Sequence, residues 1–176
     1  MAAPGSHRRR GDASAFSAAL DSGRGFTLIE LVITVAIIAI LASLAMPLAE
    51  VTVQRSREQD LRRSLREIRE AIDAYKLAWD EGRIEKSVGE TGYPRTLELL
   101  AEGVTDLKNP KPTKIYFLRR IPRDPFSTDP SVTAAATWSK RSYQSGPESP
   151  QEGDNVYDVI SRSPGIGLNG VRHREW

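Results

Sequence analysis

The sequence predicts an α+β protein: a long N-terminal helix, half transmembrane and half amphipathic, packed on a small antiparallel sheet of about three strands. Three observations predict it. An apolar run fills residues 26–46, an apolar stripe with helical spacing follows from Leu61 to Trp79, and two short segments of strand composition, TWSKRSYQS and NVYDVIS, lie near the end.

The run holds Phe, Leu, Ile, Val, Ala and Met, broken only by Thr27, Glu30, Thr34 and Ser43. As a helix it spans roughly 30 Å, one bilayer crossing. Beyond Pro47 charged residues recur every few positions, so no second crossing is predicted. A secretory signal peptide competes, because Arg8, Arg9 and Arg10 precede the run and Ala45 and Ala49 follow it. Its apolar region would span only about 7 to 15 residues, shorter than this run. The basic segment SHRRR and Arg24 place the N-terminus in the cytoplasm by the positive-inside rule and send the C-terminal part out. Arg55 and Arg57 on the other flank are accompanied by Glu50 and Glu58.

Composition narrows the partners. The 176 residues include no cysteine, so an exported domain holds together without disulfides. The formal net charge of +2 belongs to residues 1–25, where Arg8, Arg9, Arg10 and Arg24 outnumber Asp12 and Asp21; the remainder is neutral. A nucleic-acid partner, which asks for a basic patch on the folded part, is not expected.

Glu30 is the anomaly. A carboxylate in hydrocarbon costs a few kcal/mol, less near a helix end, and usually faces a partner. Thr27, Glu30 and Thr34 share one helix side, while Ala36, Ala39 and Ser43 allow close helix approach. Two readings stand: the carboxylate snorkels to the headgroups, or it awaits a cation from another chain.

Leu61, Leu65, Ile68, Ile72, Tyr75 and Trp79 form the stripe, with Arg62, Arg66, Glu67, Glu70, Asp73, Lys76 and Asp80 on the other faces. Barely three heptads long, it predicts packing on the chain's own sheet in preference to a coiled coil. Pro47, between the two halves, predicts a kink, and residues 48–60 read as an exposed, extendable stalk. Gly82 ends the long helix, GETGYP is loop, and RTLELLAEG is a short helix stopped at Gly103. KIYFLRRIPRDPF and the two strand segments follow. In the glycine-rich tail, Gly165, Gly167 and Gly170 are expected in tight turns, with Trp138 and Trp176 pinning the tail to the sheet.

RGFTLIELVITVAIIAILASLAMP resembles the class III signal of type IV pilins and type II secretion pseudopilins: a basic leader ending in Gly, then Phe, with Glu as the fifth residue of the product. The resemblance implies cleavage by a prepilin peptidase between Gly25 and Phe26 and N-methylation of Phe26. It implies four segments: a removed leader 1–25, a transmembrane and polymerisation helix 26–47, an amphipathic helix 48–82 and a periplasmic loop and sheet domain 83–176. The Phe26 ammonium would sit about 6 Å along the axis from Glu30, poorly aimed within one helix, so a neighbouring subunit's ammonium would meet it. The leader is longer than most that precede Phe in this family, through a genuinely long leader or a misassigned start.

The second half, with GYPRTLELLAEG, YFLRRIPRDPF and VYDVISRSPGIGLNG in that order, resembles the major pseudopilin of type II secretion, the GspG type. Many adhesive and motile pilins close their ending with a disulfide, so the lack of cysteine agrees. The resemblance implies a structural subunit of a secretion pseudopilus, anchored by one pass in the bacterial inner membrane with its domain in the periplasm. Its implied partners are further copies in a helical homopolymer, minor pseudopilins, the prepilin peptidase, the inner-membrane assembly platform and, before assembly, membrane lipid. The family's ending typically carries calcium-binding aspartates. Here the matching loop, Ser161 to Gly170, has Asn169 but no carboxylate, and Asp154 and Asp158 precede it, so these three are weak calcium candidates and a metal-free loop is preferred.

No enzyme is expected. His7 lies in the leader, His173 between Arg172 and Arg174 reads as a solvated surface residue, and no Ser, His and acid arrangement or phosphate-cradling loop is legible. Two other functions stay open: a type IV pilin for adhesion, twitching or DNA uptake, and a soluble periplasmic binding module released after Ala49.

Overall fold

The computed structural model describes residues 25–176, apart from the side chains of residues 44–48. The reading of residues 1–25 as a leader, with His7, lies outside the described residues except at Gly25. The chain forms two compact units, Met1–Leu44 and Ala45–Trp176. Helix α1 covers Leu28–Asp80, 53 residues, and runs through Pro47.

In the first unit, every large apolar side chain from Phe26 to Leu41 is between 51% and 82% exposed. Among the described residues no helix is long and apolar enough to cross a membrane. The described side chains of the apolar run stop at Ser43, whereas the sequence carries it on to Met46.

The second unit is organised by the predicted stripe. Leu61, Leu65, Ile68, Ile72 and Tyr75 are buried, and they share one core with Leu97, Leu100, Leu118, Trp138, Val156 and Val159. Trp79 is only partly buried, because Ala78 takes the inward position in the last turn. The helix ends as expected at Gly82. With φ at +72°, Gly82 donates to Trp79 O at 3.0 Å and Arg83 donates to Ala78 O at 2.9 Å, the paired closure that a left-handed glycine permits.

Helix α2 (Glu98–Glu102) stops at Gly103, whose amide donates to Leu99 O. Strand β1 (Val104–Thr105) pairs antiparallel with β2 (Lys114–Ile115), and β3 (Trp138–Arg141) with β4 (Asp158–Ser161). The α+β class thus holds, with four short strands among the described residues, divided between two two-stranded sheets. The β3–β4 pair is the one the strand segments predict. Strand β1 is too short to carry a periodic signal; it follows α2 directly after Gly103, and the chain just beyond β2 is docked onto α2 by Phe117 N and Leu118 N, which donate to Leu100 O at 3.0 and 2.9 Å.

Trp138 is fully buried and its Nε1 donates to Pro122 O at 2.8 Å, so the indole fills the core without an orphan donor. Of the three tail glycines, Gly170 has a left-handed φ of +79°. Gly167 serves another purpose: a Cβ there would run into Trp176 Cζ2.

Candidate functional site

The first unit presents the residues singled out for processing and assembly. Gly25, Phe26 and Thr27 precede the helix, with Phe26 82% exposed. Thr27 caps it: its Oγ1 accepts from the Glu30 amide at 3.2 Å, and its carbonyl accepts from Leu31 N at 3.1 Å. Thr-x-x-Glu is the sequence pattern of a helix start, a signal available in the sequence that the membrane reading passed over. A carboxylate in the first turn also favours the positive end of the helix dipole. Glu30 is exposed, and Thr34 and Ser43 satisfy their hydroxyls on Leu31 O (2.8 Å) and Ile40 O (2.7 Å) of their own helix. Among the described residues, the start of α1 is therefore an apolar cylinder with one carboxylate, Glu30, that makes no ion pair.

In the second unit the ending of the chain is fastened to α1 by residues the sequence did not single out. Glu58 is 6% exposed, at the end of a stretch expected to be a solvated stalk. Its Oε1 accepts from Leu168 N at 2.8 Å and from Gln54 Nε2 at 2.9 Å. Arg69 donates from Nε to Asp158 Oδ1 at 2.8 Å, and from Nη2 to Trp176 O at 2.8 Å and Val159 O at 3.3 Å. The Arg62 guanidinium lies 4.2 Å over the Trp176 ring.

His173 corrects the sequence expectation. It is buried, 2% exposed, in a short 3-10 turn (His173–Glu175), which turns the flanking arginines outward and the imidazole in. Its Nδ1 lies 2.9 Å from Ser163 Oγ, its ring 4.1 Å from Phe126, and its Nε2 4.0 Å from Glu58 Oε1. A Ser, a His and an acid are thus brought together, contrary to the sequence reading. Ser163 Oγ also accepts from Gly165 N at 3.2 Å, and the imidazole is closed off between Phe126 and Trp176, so the group braces the tail.

The three calcium candidates are placed differently from one another. Asp158 Oδ1 and Oδ2 face Arg69 at 2.8 Å and Arg141 at 3.4 Å. Asn169 Oδ1 accepts from Val171 N at 3.1 Å. Asp154 is exposed beside two shallow clefts that neither Asp158 nor Asn169 lines. Among the described residues no group of three or more His, Cys, Asp or Glu is placed to hold a metal ion.

Residues 22–46 match the prokaryotic N-terminal methylation motif. The chain is 31% identical over 112 residues to the type II secretion system core protein G of Klebsiella michiganensis, covering 61% of this chain and 71% of that protein. It is 32% identical over 108 residues to that of Vibrio cholerae (60% and 66%) and 32% over 110 residues to that of Pectobacterium carotovorum (60% and 64%). In the latter two the match spans just under two thirds of the relative. No solved structure matches. With the methylation motif lying over the capped apolar helix and this similarity extending into the sheet domain, the chain belongs to the type II secretion system core protein G family, the major pseudopilins.

Proposed function

We propose that this pseudopilin is cut between Gly25 and Phe26 by a prepilin peptidase, N-methylated at Phe26, and polymerised into a pseudopilus that drives protein export through the outer membrane. The observation that carries the proposal is the start of α1: an apolar surface exposed from Phe26 to Leu41 around one carboxylate without an ion pair in the described chain. So large a contiguous apolar surface is not left in water. Lipid covers it before assembly, in the inner membrane with the sheet domain in the periplasm, and neighbouring helices cover it afterwards. The Phe26 ammonium of one subunit then neutralises Glu30 of the next and sets their axial stagger. Pro47 supplies a weak point at which the helix extends on assembly, its ring removing one ladder donor. Minor pseudopilins, the peptidase and the inner-membrane platform are the other partners. Similarity to core protein G favours secretion over a motile pilus, and deletion checks this: lost secretion with normal twitching is expected.

The test is Glu30→Ala in cells with the native peptidase. Cleavage stays at wild-type level, and filament yield falls about tenfold or more, since a lone buried ammonium is left behind. A wild-type filament yield from this variant would contradict the assembly role.

A further inference from the structure

The family resemblance implies a calcium ion in the ending, and the donors present do not fit one. Calcium takes six to eight oxygen ligands at roughly 2.3–2.6 Å. The loop Ser161–Gly170 has no carboxylate. Asn169 Oδ1 is occupied by Val171 N, Gly167 O accepts from Gly170 N at 2.8 Å and Gly165 O from His173 N at 3.1 Å. The nearest carboxylate in sequence, Asp158, already has a guanidinium on each oxygen, and a divalent cation beside Arg69 and Arg141 would meet two like charges. At its tip the loop turns an N–H toward α1, and what answers it is an anion: Glu58 Oε1, 2.8 Å from Leu168 N.

We infer that the ending is clamped to α1 by Glu58, Arg62 and Arg69 in place of a calcium ion. Glu58 holds the loop tip, Arg69 holds β4 and Trp176 O together, and Arg62 covers the Trp176 ring. Gly167 completes the clamp by leaving room for the indole. The clamp holds the folded domain whether or not filaments form.

The test uses the full chain in detergent micelles. Thermal unfolding is followed in EGTA and in about 10 mM calcium chloride, with magnesium chloride matching the ionic strength, and amide exchange at Leu168 is measured in both. Wild type is expected to unfold at the same temperature within about 1 °C, with unchanged exchange at Leu168, whereas a weak calcium site would raise the midpoint by about 3 °C or more. Glu58→Ala is expected to speed Leu168 exchange about tenfold with no rescue by calcium. Glu58→Gln, which keeps the volume and an oxygen acceptor, gives a smaller rise and is read if the alanine variant fails to fold. Calcium-dependent stabilisation, calcium protection of Leu168, or wild-type exchange in both variants would overturn the inference.

Discussion

Arg69 on α1 and Asp158 on β4 meet at 2.8 Å across 89 residues of sequence, and the same guanidinium reaches Trp176 O at 2.8 Å. One side chain thus ties helix, strand and tail together through charge-assisted bonds of the stronger kind. Arg69→Ala is expected to destabilise the fold by about 2 kcal/mol, with Arg141 still offsetting part of the Asp158 charge. Arg69→Lys recovers little, because a lysine cannot reproduce the planar fork that serves three acceptors. Urea unfolding of the two variants checks both statements.

Gly167 and Trp176 form a second such pair, this time by shape. Gly167→Ala would drive a methyl into the indole and is expected to cost about 1–3 kcal/mol. Combining it with Trp176→Phe is expected to recover part of that loss, since the smaller ring vacates the space. The double variant unfolding earlier than Gly167→Ala alone would contradict the contact.

The acid limb of stability involves Asp106. Arg83 Nη2 donates to its Oδ2 at 2.6 Å, and this bond, more than the Lys108 amide at 3.1 Å, holds the Asp106 carboxyl below its ordinary value of 3.8. A carboxyl that releases its proton more readily when folded stabilises the protein fully above its unfolded value, and that contribution is lost as pH falls through the lower folded value. Asp106→Asn is therefore expected to melt earlier than wild type at neutral pH, with the gap closing as pH drops below 3.8. Paired melts along a pH series read the gap directly.

Much of the second unit was legible because its strongest signal is periodic. The Leu61 to Tyr75 stripe repeats often enough to fix the buried face, Gly82 and Gly103 mark both helix ends, and the β3–β4 segments show strand composition. Strands β1 and β2 span two residues each, too few for any period, and exist through tertiary docking. His173 was misread because its arginine neighbours suggest a surface, whereas a tight turn separates consecutive residues by about 120°. Glu58 was missed for a related reason: a polar residue on a helix reads as solvated until the distant Leu168 amide is brought against it. The start of α1 was legible in composition and motif, and its Thr27 cap was legible in pattern.

Processing between Gly25 and Phe26 is the step on which filament assembly depends. It is read from the intact mass and N-terminal sequence of the protein purified from membranes of cells with their native peptidase. A chain beginning at N-methylated Phe26 is expected. A chain beginning near Glu50, or one retaining its leader, would rule out this processing, and the assembly role of Glu30 would fall with it.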